Sequence, residues 1–169
     1  MEKNLLPLNP SQETQGESMC GPASLKMVLD YYGVKKTEAE LAKLCETTLE
    51  LGTKDAAIKK AAESLGFKVE IKNNSSLEDI KSWLDKKVPV IVDWFTRGTK
   101  DYEDSDIADG HYSVVAGLDE IFIYLQDPEI GSLRTFPIEV FRRIWFDFRG
   151  SYLRSPKNLH LRRMLVIHP

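Results

Sequence analysis

One cysteine stands where the sequence predicts the start of a helix. Cys20 is followed by Gly21 and Pro22, and apolar residues then recur at helical spacing, as at Leu25 and Val28. Proline suits the first turn of a helix, where its missing N–H removes no hydrogen bond. The positive end of the helix dipole favours the thiolate, which is the nucleophilic form of cysteine. The pattern therefore predicts that Cys20 is a nucleophile.

A cysteine nucleophile needs a base that lies near it in space, although not in sequence. The chain has three histidines, His111, His160 and His168. His111 follows Asp109-Gly110 and opens an apolar strand, so its side chain is predicted to face a cleft. His160 precedes the final predicted strand and His168 lies near the end of the sequence, and both are interpreted as surface residues. We therefore predict that His111 is the base.

The base in turn needs an acceptor that orients its ring. Residues 111 to 118 and 121 to 126 form a predicted hairpin with its turn at Asp119-Glu120, so position 111 is expected opposite position 127 or 128. A carboxylate at Asp127 would fix the imidazole tautomer and stabilise its charged form. Asp127 is thus the predicted orienting residue.

Attack on a carbonyl also needs hydrogen-bond donors for the oxyanion that forms. The backbone N–H of Cys20 is one candidate donor. A side-chain amide a few residues upstream would supply the second, and the sequence offers two of them. Gln15 is the nearer candidate and Gln12 the other.

At these residues the chain resembles the papain-like cysteine peptidases. Among them it is similar to the double-glycine peptidases that trim bacteriocin leader peptides, and to their stand-alone relatives. The matching segments are Gln15 before the run 20–25, the run 110–115, and Asp127-Pro128, and the helix around residues 141–145 resembles the family's closing segment. The resemblance implies a papain-like fold and no cofactor or metal. It also implies roles for four residues: a nucleophile, a base and acid, an orienting carboxylate and an oxyanion donor, which would be Cys20, His111, Asp127 and Gln15.

Two departures from that family are visible. One fewer residue separates Gln15 from Cys20 than is usual in papain-like enzymes, which keeps Gln12 as an alternative. The leader-trimming peptidases are usually fused to a transporter, and this sequence has neither its membrane spans nor its ATPase, so their substrate is not implied. Phytochelatin synthases have a similar cysteine turn, but here a cysteine-rich tail is missing and metal sensing is not supported.

The order of predicted elements indicates the fold class. Helices predominate first and antiparallel strands follow, which is typical of an α+β domain. We expect one papain-like domain over residues 1–169, with a mainly helical lobe over 1–87 and a mainly β lobe over 88–169. A chain of 169 residues is long enough for one such core.

Composition narrows the function classes. Hydrophobic residues make up 42% of the chain and charged residues 29%, as in ordinary globular proteins. No apolar run approaches the ~20 residues that span a bilayer, and the N-terminus has no apolar signal core, so a cytoplasmic protein is expected. Two cysteines do not make a disulfide framework, and a bridge between them would disable the thiol, so Cys45 is interpreted as structural.

Two charged segments are interpreted as solvated surface. Residues 132–169 contain eight Lys or Arg and two Asp or Glu, but no interleaved aromatic pattern, so nucleic acid is not the expected partner. The acidic run has its carboxylates at Asp101, Glu103, Asp104, Asp106 and Asp109 and matches no calcium-loop spacing, so it is interpreted as a lid or solvated loop.

The sequence as a whole predicts a cysteine peptidase acting on a peptide or protein. Two alternatives use the same fold. One is a peptide-binding module that does not cut, and the other is a thiol acyltransferase or isopeptidase that passes the acyl group to an amine or thiol.

Overall fold

The computed structural model describes residues 4–9, 18–96, 109–148, 153 and 155–169. Five α-helices, one short 3-10 helix and eight strands lie within these residues. The helices are α1 (Cys20–Tyr31), α2 (Glu38–Leu44), α3 (Asp55–Ser64), α4 (Leu77–Asp85) and α5 (Ile138–Ile144). The strands are β1 (Lys68–Lys72), β2 (Val90–Thr96), β3 (Asp109–Leu118), β4 (Phe122–Asp127), β5 (Ser132–Pro137), β6 (Phe146–Phe148), β7 (Leu159–Leu161) and β8 (Arg163–His168). None of these helices is long and apolar enough to cross a bilayer.

Local sequence signals fix the helix starts. Thr37 caps α2 in the predicted capping box: its hydroxyl accepts from the Glu40 N–H at 3.1 Å, while the Glu40 carboxylate accepts from the Thr37 N–H at 2.8 Å. Ser76 and Asp79 cap α4 in the same way. Each box satisfies backbone donors that the first helical turn cannot pair internally.

Six strands form one antiparallel sheet in the order β1-β8-β2-β3-β4-β5. Strand β1, which lies between α3 and α4 in the chain, pairs with β8 at one edge of this sheet. Strands β6 and β7 form a separate two-stranded ladder. The α+β class predicted from the order of elements is confirmed, whereas the division into lobes at residue 88 stays a prediction.

Apolar side chains alternate along β3 and serve two cores. Tyr112, Val114 and Ala116 pack in the core that contains α1, and Val115 packs in the core on the opposite face. Successive side chains of a strand point to opposite faces, so a strand covered on both sides is apolar at nearly every position. The central strands therefore lie between two layers of helices. This packing holds the ends of β3 and β4 in place.

The β3–β4 hairpin differs from the predicted register. The Asp119 N–H donates to the Phe122 carbonyl at 2.9 Å, and the Asp119 carboxylate accepts from the N–H groups of Ile121 and Phe122 at 2.8 and 2.7 Å, so the turn is centred at 120–121, one residue later than predicted. The register also shifts between Val115 and Gly117, as expected for a β-bulge. The last cross-strand pair is Val114 with Gln126, and continuing from it would set position 129 opposite position 111, not 127 or 128.

Candidate active site

The Cys20 sulfur lies at the start of α1. Cys20 is the first residue of that helix, is half-buried, and has a free thiol. Met19 provides no side-chain cap, and the first turn contains no acidic residue. The helix begins at Cys20 as the sequence predicted, and no carboxylate on its first turn offsets the positive end of the helix dipole.

Gly21 allows α1 to approach the loop before α3. A Cβ at this position would lie 2.6 Å from the Thr53 Cβ and 2.8 Å from its Oγ1, which is closer than two such atoms can come. Thr53 is held in turn by a 2.7 Å hydrogen bond between its hydroxyl and that of Thr47. The small size of Gly21 thus allows the start of α1 to pack directly against Thr53.

His111 lies near the beginning of β3 and is only 4% exposed. Its Nε2 atom lies 2.6 Å from Oδ1 of Asp127. The Cys20 side chain is near enough to the same ring to raise its pKa, and because Asp127 occupies Nε2, Nδ1 is the ring nitrogen left to face the sulfur. The Trp94 indole and the ring make a T-shaped contact at a centroid distance of 5.4 Å. This arrangement brings a thiol, an imidazole and a carboxylate together.

The electrostatics of His111 favour its charged form. Burial alone would lower its pKa, but the hydrogen bonds to Asp127 and Cys20 and the negative charges of both partners raise the pKa to about 10. The ring is therefore an imidazolium at neutral pH. The side chain of Cys20 therefore lies beside a positive charge.

Asp127 is fully buried at the end of β4. Burial alone would raise its pKa, but the hydrogen bond and charge of His111, the charge of Arg134 and the N–H of Glu129 together lower it. Oδ1 accepts from that N–H at 2.9 Å in addition to its contact with His111. Oδ2 lies 2.7 Å from Nε of Arg134, yet neither atom is aligned for a hydrogen bond, so this contact is an ionic one.

Sequence reasoning missed two charged residues around His111 and Asp127. Glu129 has its Oε2 3.8 Å from Nε2 of His111 and 3.4 Å from Nη2 of Arg134. Arg134 also lies over the Trp94 ring, 5.6 Å from its centroid. The available signal was the turn at 127–131, which returns the chain as β5 beside β4 and so brings a strand arginine back to the carboxylate.

Some predicted residues lie outside the described part of the chain. This is true of both candidate oxyanion donors, Gln15 and Gln12, and of residues 101–106 of the acidic run. Asp109, the last acid of that run, is the first residue of β3.

The two other histidines are not simple surface residues, and that prediction was wrong. Both are half-buried. His168 stacks on Trp83 at 5.4 Å, and its Nε2 lies 3.6 Å from a carboxylate oxygen of Glu70. His160 lies in β7 opposite Asp147 of β6, and it converges with buried acids described below.

Cys45 is buried, whereas Cys20 is half-buried at a helix start. The Cys45 side chain is 1% exposed, and burial raises its pKa to about 11. It is a free thiol packed in the core with α1, so no disulfide joins it to Cys20. The thiol is held in its protonated, unreactive form.

Among the residues that the structure describes, two groups of His and carboxylate side chains converge closely enough to hold a metal ion. One is His111 with Asp127 and Glu129, and the other is His160 with Asp55 and Asp93; in each, the ligand atoms lie within 4.8 Å of one another. A guanidinium already contacts a carboxylate of each group, since Arg134 meets Asp127 and Arg163 meets Asp55. These arginines compete with a cation for the same oxygens.

Comparison with known proteins defines the class. The fold is similar to the crystal structure of a double glycine motif protease from an AMS/PCAT transporter in complex with the leader peptide, with a TM-score of 0.67 and 20% sequence identity over 100% of this chain and 96% of that one. The papain-like fold expected from the resemblance is therefore confirmed. The Peptidase C39 family model matches residues 9–148. The chain belongs to the Peptidase C39 family.

Two relatives illustrate how this domain occurs. The chain is 35% identical over 114 residues to the lactococcin transport/processing ATP-binding protein LcnC-like of Lactococcus lactis subsp. lactis (strain IL1403), covering 67% of this chain and 14% of that protein. It is 36% identical over 138 residues to an uncharacterised protein of Methanothermobacter thermautotrophicus, covering 79% of each. The chain thus spans about a seventh of the first relative and most of the second.

Proposed function

We propose that this chain is a cysteine peptidase in which Cys20 is the nucleophile, His111 the general base and acid, and Asp127 the group that orients the imidazole. The observation that carries the proposal is the 2.6 Å contact between the His111 ring and the Asp127 carboxylate, with the Cys20 side chain near enough to the same ring to raise its pKa. Membership of a peptidase family supports the reaction class.

The proposed reaction begins with the Cys20 thiolate attacking the carbonyl carbon of a peptide bond. The imidazolium of His111 then gives its proton to the leaving amine, and an acyl-enzyme thioester remains. The resulting neutral imidazole takes a proton from water, which attacks the thioester and releases the acid. Asp127 keeps Nε2 of the ring bonded throughout, so that Nδ1 stays directed at the sulfur.

Two hydrogen-bond donors are proposed to stabilise the oxyanion. The backbone N–H of Cys20 lies in the uncapped first turn of α1, which supports its role. The side-chain amide of Gln15 is proposed as the second donor, with Gln12 as the alternative. Substituting each glutamine by alanine in turn would identify the donor, because only one variant is expected to lose cleavage by about 100-fold.

The proposed substrate is a peptide or a protein segment. A structural neighbour is a double glycine motif protease that was crystallised with a leader peptide. Peptides that carry two consecutive glycines are therefore the first substrates to test on this chain.

Cleavage of a peptide library that includes such sequences tests the proposal directly. The wild-type protein is expected to cut, and Cys20→Ala is expected to abolish cutting while the matched variant Cys45→Ala retains it. Retained binding without cleavage by the wild type would identify a peptide-binding module instead. Addition of an amine or thiol acceptor distinguishes acyl transfer from hydrolysis, because transfer would yield an acceptor adduct in place of the free acid.

A further inference from the structure

Arg134 contacts two residues that hold the His111 ring. Its Nε lies 2.7 Å from Oδ2 of Asp127, whose other oxygen lies 2.6 Å from Nε2 of His111. Its guanidinium carbon lies over the Trp94 ring, 5.6 Å from the ring centroid, and Trp94 makes a T-shaped contact with His111. Arg134 is thus connected to the imidazole by two routes, one ionic and one aromatic.

The two oxygens of the Asp127 carboxylate are engaged differently. Oδ1 lies beside His111 and accepts from the Glu129 N–H at 2.9 Å. Oδ2 is buried, has no aligned hydrogen bond among the residues that the structure describes, and lies beside the Arg134 guanidinium. A buried carboxylate oxygen without a hydrogen bond is unfavourable unless a positive charge lies next to it. The charge of Arg134 therefore holds Oδ2 on its own side and leaves Oδ1 to the imidazole.

Arg134 is itself fixed in place. Its side chain is 11% exposed and projects from β5, the strand that pairs with β4. Nη2 donates to Oε2 of Glu129 at 3.4 Å, while Nε faces Asp127. The Trp94 ring under the guanidinium is 1% exposed, and its Nε1 donates to the Ser113 hydroxyl at 3.0 Å. The group that holds Asp127 is therefore held on its other sides by a second carboxylate and a buried indole.

These contacts use the particular chemistry of arginine. A guanidinium presents several N–H groups in one plane and stacks on aromatic rings, whereas the ammonium of lysine is a single point charge. A lysine at position 134 could retain the ion pair with Asp127 but not the simultaneous contacts with Glu129 and the Trp94 ring. A glutamine would lose the charge as well.

We propose that Arg134 is a positioning residue for the reaction of Cys20, and that it acts by fixing the Asp127 carboxylate against the His111 ring, with Trp94 as the surface on which it lies. The proposal deepens the proposed function and rests on it for the role of His111. Because Arg134 contacts the residues around the imidazole, it acts through them and is not a catalytic residue.

The first test measures the rate at which iodoacetamide alkylates Cys20 at neutral pH. Arg134→Gln is expected to react at least about fivefold more slowly than the wild type, and Arg134→Lys is expected to recover at least about twofold of that loss, because it restores the charge. The matched control Arg142→Gln removes an exposed arginine of α5 that is paired with Glu139, so its rate is expected to stay within about twofold of the wild type. Equal rates for wild type and Arg134→Gln, or for the glutamine and lysine variants, would overturn the proposal.

A double-mutant cycle distinguishes positioning from a general structural role. If Arg134 acts through Asp127, Arg134→Gln should slow alkylation much less in the Asp127→Asn background than in the wild type, because the carboxylate that Arg134 fixes is already missing. Thermal unfolding shows that each variant is folded at the temperature of the assay. Strictly additive effects on the rate would overturn the proposal, since they would show that Arg134 does not act through Asp127.

Failure of the proposed function would give a different result. If Cys20 of the wild type reacts no faster than Cys45, or if His111→Ala leaves its rate unchanged, the proposed function fails whatever the Arg134 variants do. A reactive Cys20 whose rate depends on His111 but not on Arg134 overturns this proposal alone. Alkylation requires no peptide, so the comparison does not depend on knowing a substrate.

A measurement on the wild-type protein applies even if the Arg134 variants do not fold. In nitrogen-15 NMR, the Nε–H of Arg134 is expected to exchange its hydrogen at least about tenfold more slowly than that of the exposed Arg142, because the ion pair with Asp127 is buried. The exchange at Arg134 is expected to accelerate in Asp127→Asn. Equal exchange at the two arginines, or exchange at Arg134 that is unchanged in Asp127→Asn, would overturn the proposal.

Discussion

Nε2 of His111 lies 2.6 Å from Oδ1 of Asp127, although the β3–β4 ladder does not pair these two residues. The ladder ends at Val114 and Gln126, and the carboxylate reaches the ring from just beyond that end. Because Asp127 is fully buried and His111 nearly so, the contact is shielded from water and from salt. The orientation of the imidazole is therefore set by buried residues of two neighbouring strands of the sheet.

The two cysteines are expected to differ in their reaction with iodoacetamide. Cys20 should be alkylated below pH 7, because His111 carries a positive charge beside its sulfur, whereas burial and a pKa of about 11 protect Cys45. Substituting His111 by alanine should slow labelling of Cys20 sharply, because it removes the positive charge beside the sulfur. Mass spectrometry of the labelled peptides measures both rates. Equal labelling of the two thiols would contradict the assignment of the nucleophile.

Removal of the Asp127 side chain is expected to destabilise the protein strongly. Asp127→Ala would leave the buried, charged ring of His111 without its partner and Arg134 with only Glu129, and loss of one partner of a buried pair typically costs about 3–5 kcal/mol. Urea unfolding followed by tryptophan fluorescence would measure this loss in the free energy of unfolding. Asp127→Asn preserves the shape of the side chain and is the matched control, expected to retain more stability than alanine. A loss below about 1 kcal/mol for Asp127→Ala would show that the network contributes little.

Acid sensitivity follows from the lowered pKa of Asp127. A carboxyl whose pKa falls on folding contributes stability above its unfolded pKa, about 3.9, and that contribution is lost as pH falls through the folded value. The wild type should therefore lose stability below about pH 4 more steeply than Asp127→Asn does. Unfolding measured at a series of acidic pH values compares the two slopes, and parallel curves would argue against the assignment.

Alkaline sensitivity is expected from His111. Its pKa is raised from an ordinary value of 6.5 to about 10, so its favourable contribution is complete below about pH 6.5 and is lost as pH rises towards 10. His111→Gln has no charge to lose, and its Tm should therefore fall less than that of the wild type across this interval. A wild-type Tm that falls no faster than that of the variant would contradict a charged imidazole at neutral pH.

Gly21→Ala should disturb the site through packing alone. The added Cβ would meet Thr53, and overpacking of this kind typically costs about 1–3 kcal/mol. Because Gly21 follows Cys20, labelling of the thiol should slow in parallel. The double variant Gly21→Ala with Thr53→Gly removes the obstructing side chain and is expected to regain part of both losses. Strictly additive effects of the two substitutions would show that the residues do not interact.

Local signals in the sequence were enough to predict the parts of the site that are formed by residues close together in the chain or on adjacent strands of one hairpin. Gly21-Pro22 predicted the helix that begins at Cys20, and the hairpin between residues 111 and 127 predicted that a histidine and a carboxylate would meet. The register was less accurate because the Asp119 side chain reshapes the turn and the strand bulges after Val115. Neither event follows from hydrophobic alternation, which is what the prediction used.

Contacts between elements distant in the chain were not accessible from the sequence. Arg134 reaches Asp127 only because β5 returns beside β4, and Asp147 reaches Gly110 only because β6 packs across β2 and β3. In the sequence, these residues are indistinguishable from solvated charges, and most charged residues are solvated. Their burial and pairing depend on the tertiary packing.

Strand β8 has a consequence for how the chain can be shortened. It is inserted between β1 and β2, although residues 163–168 lie beyond the part that matches the family. A chain ended at residue 148 would retain Cys20, His111 and Asp127 but would leave two strand edges open, each a template for pairing with another molecule. Such a fragment is expected to self-associate into insoluble assemblies, so β8 is needed to close the sheet although it lies outside the family match.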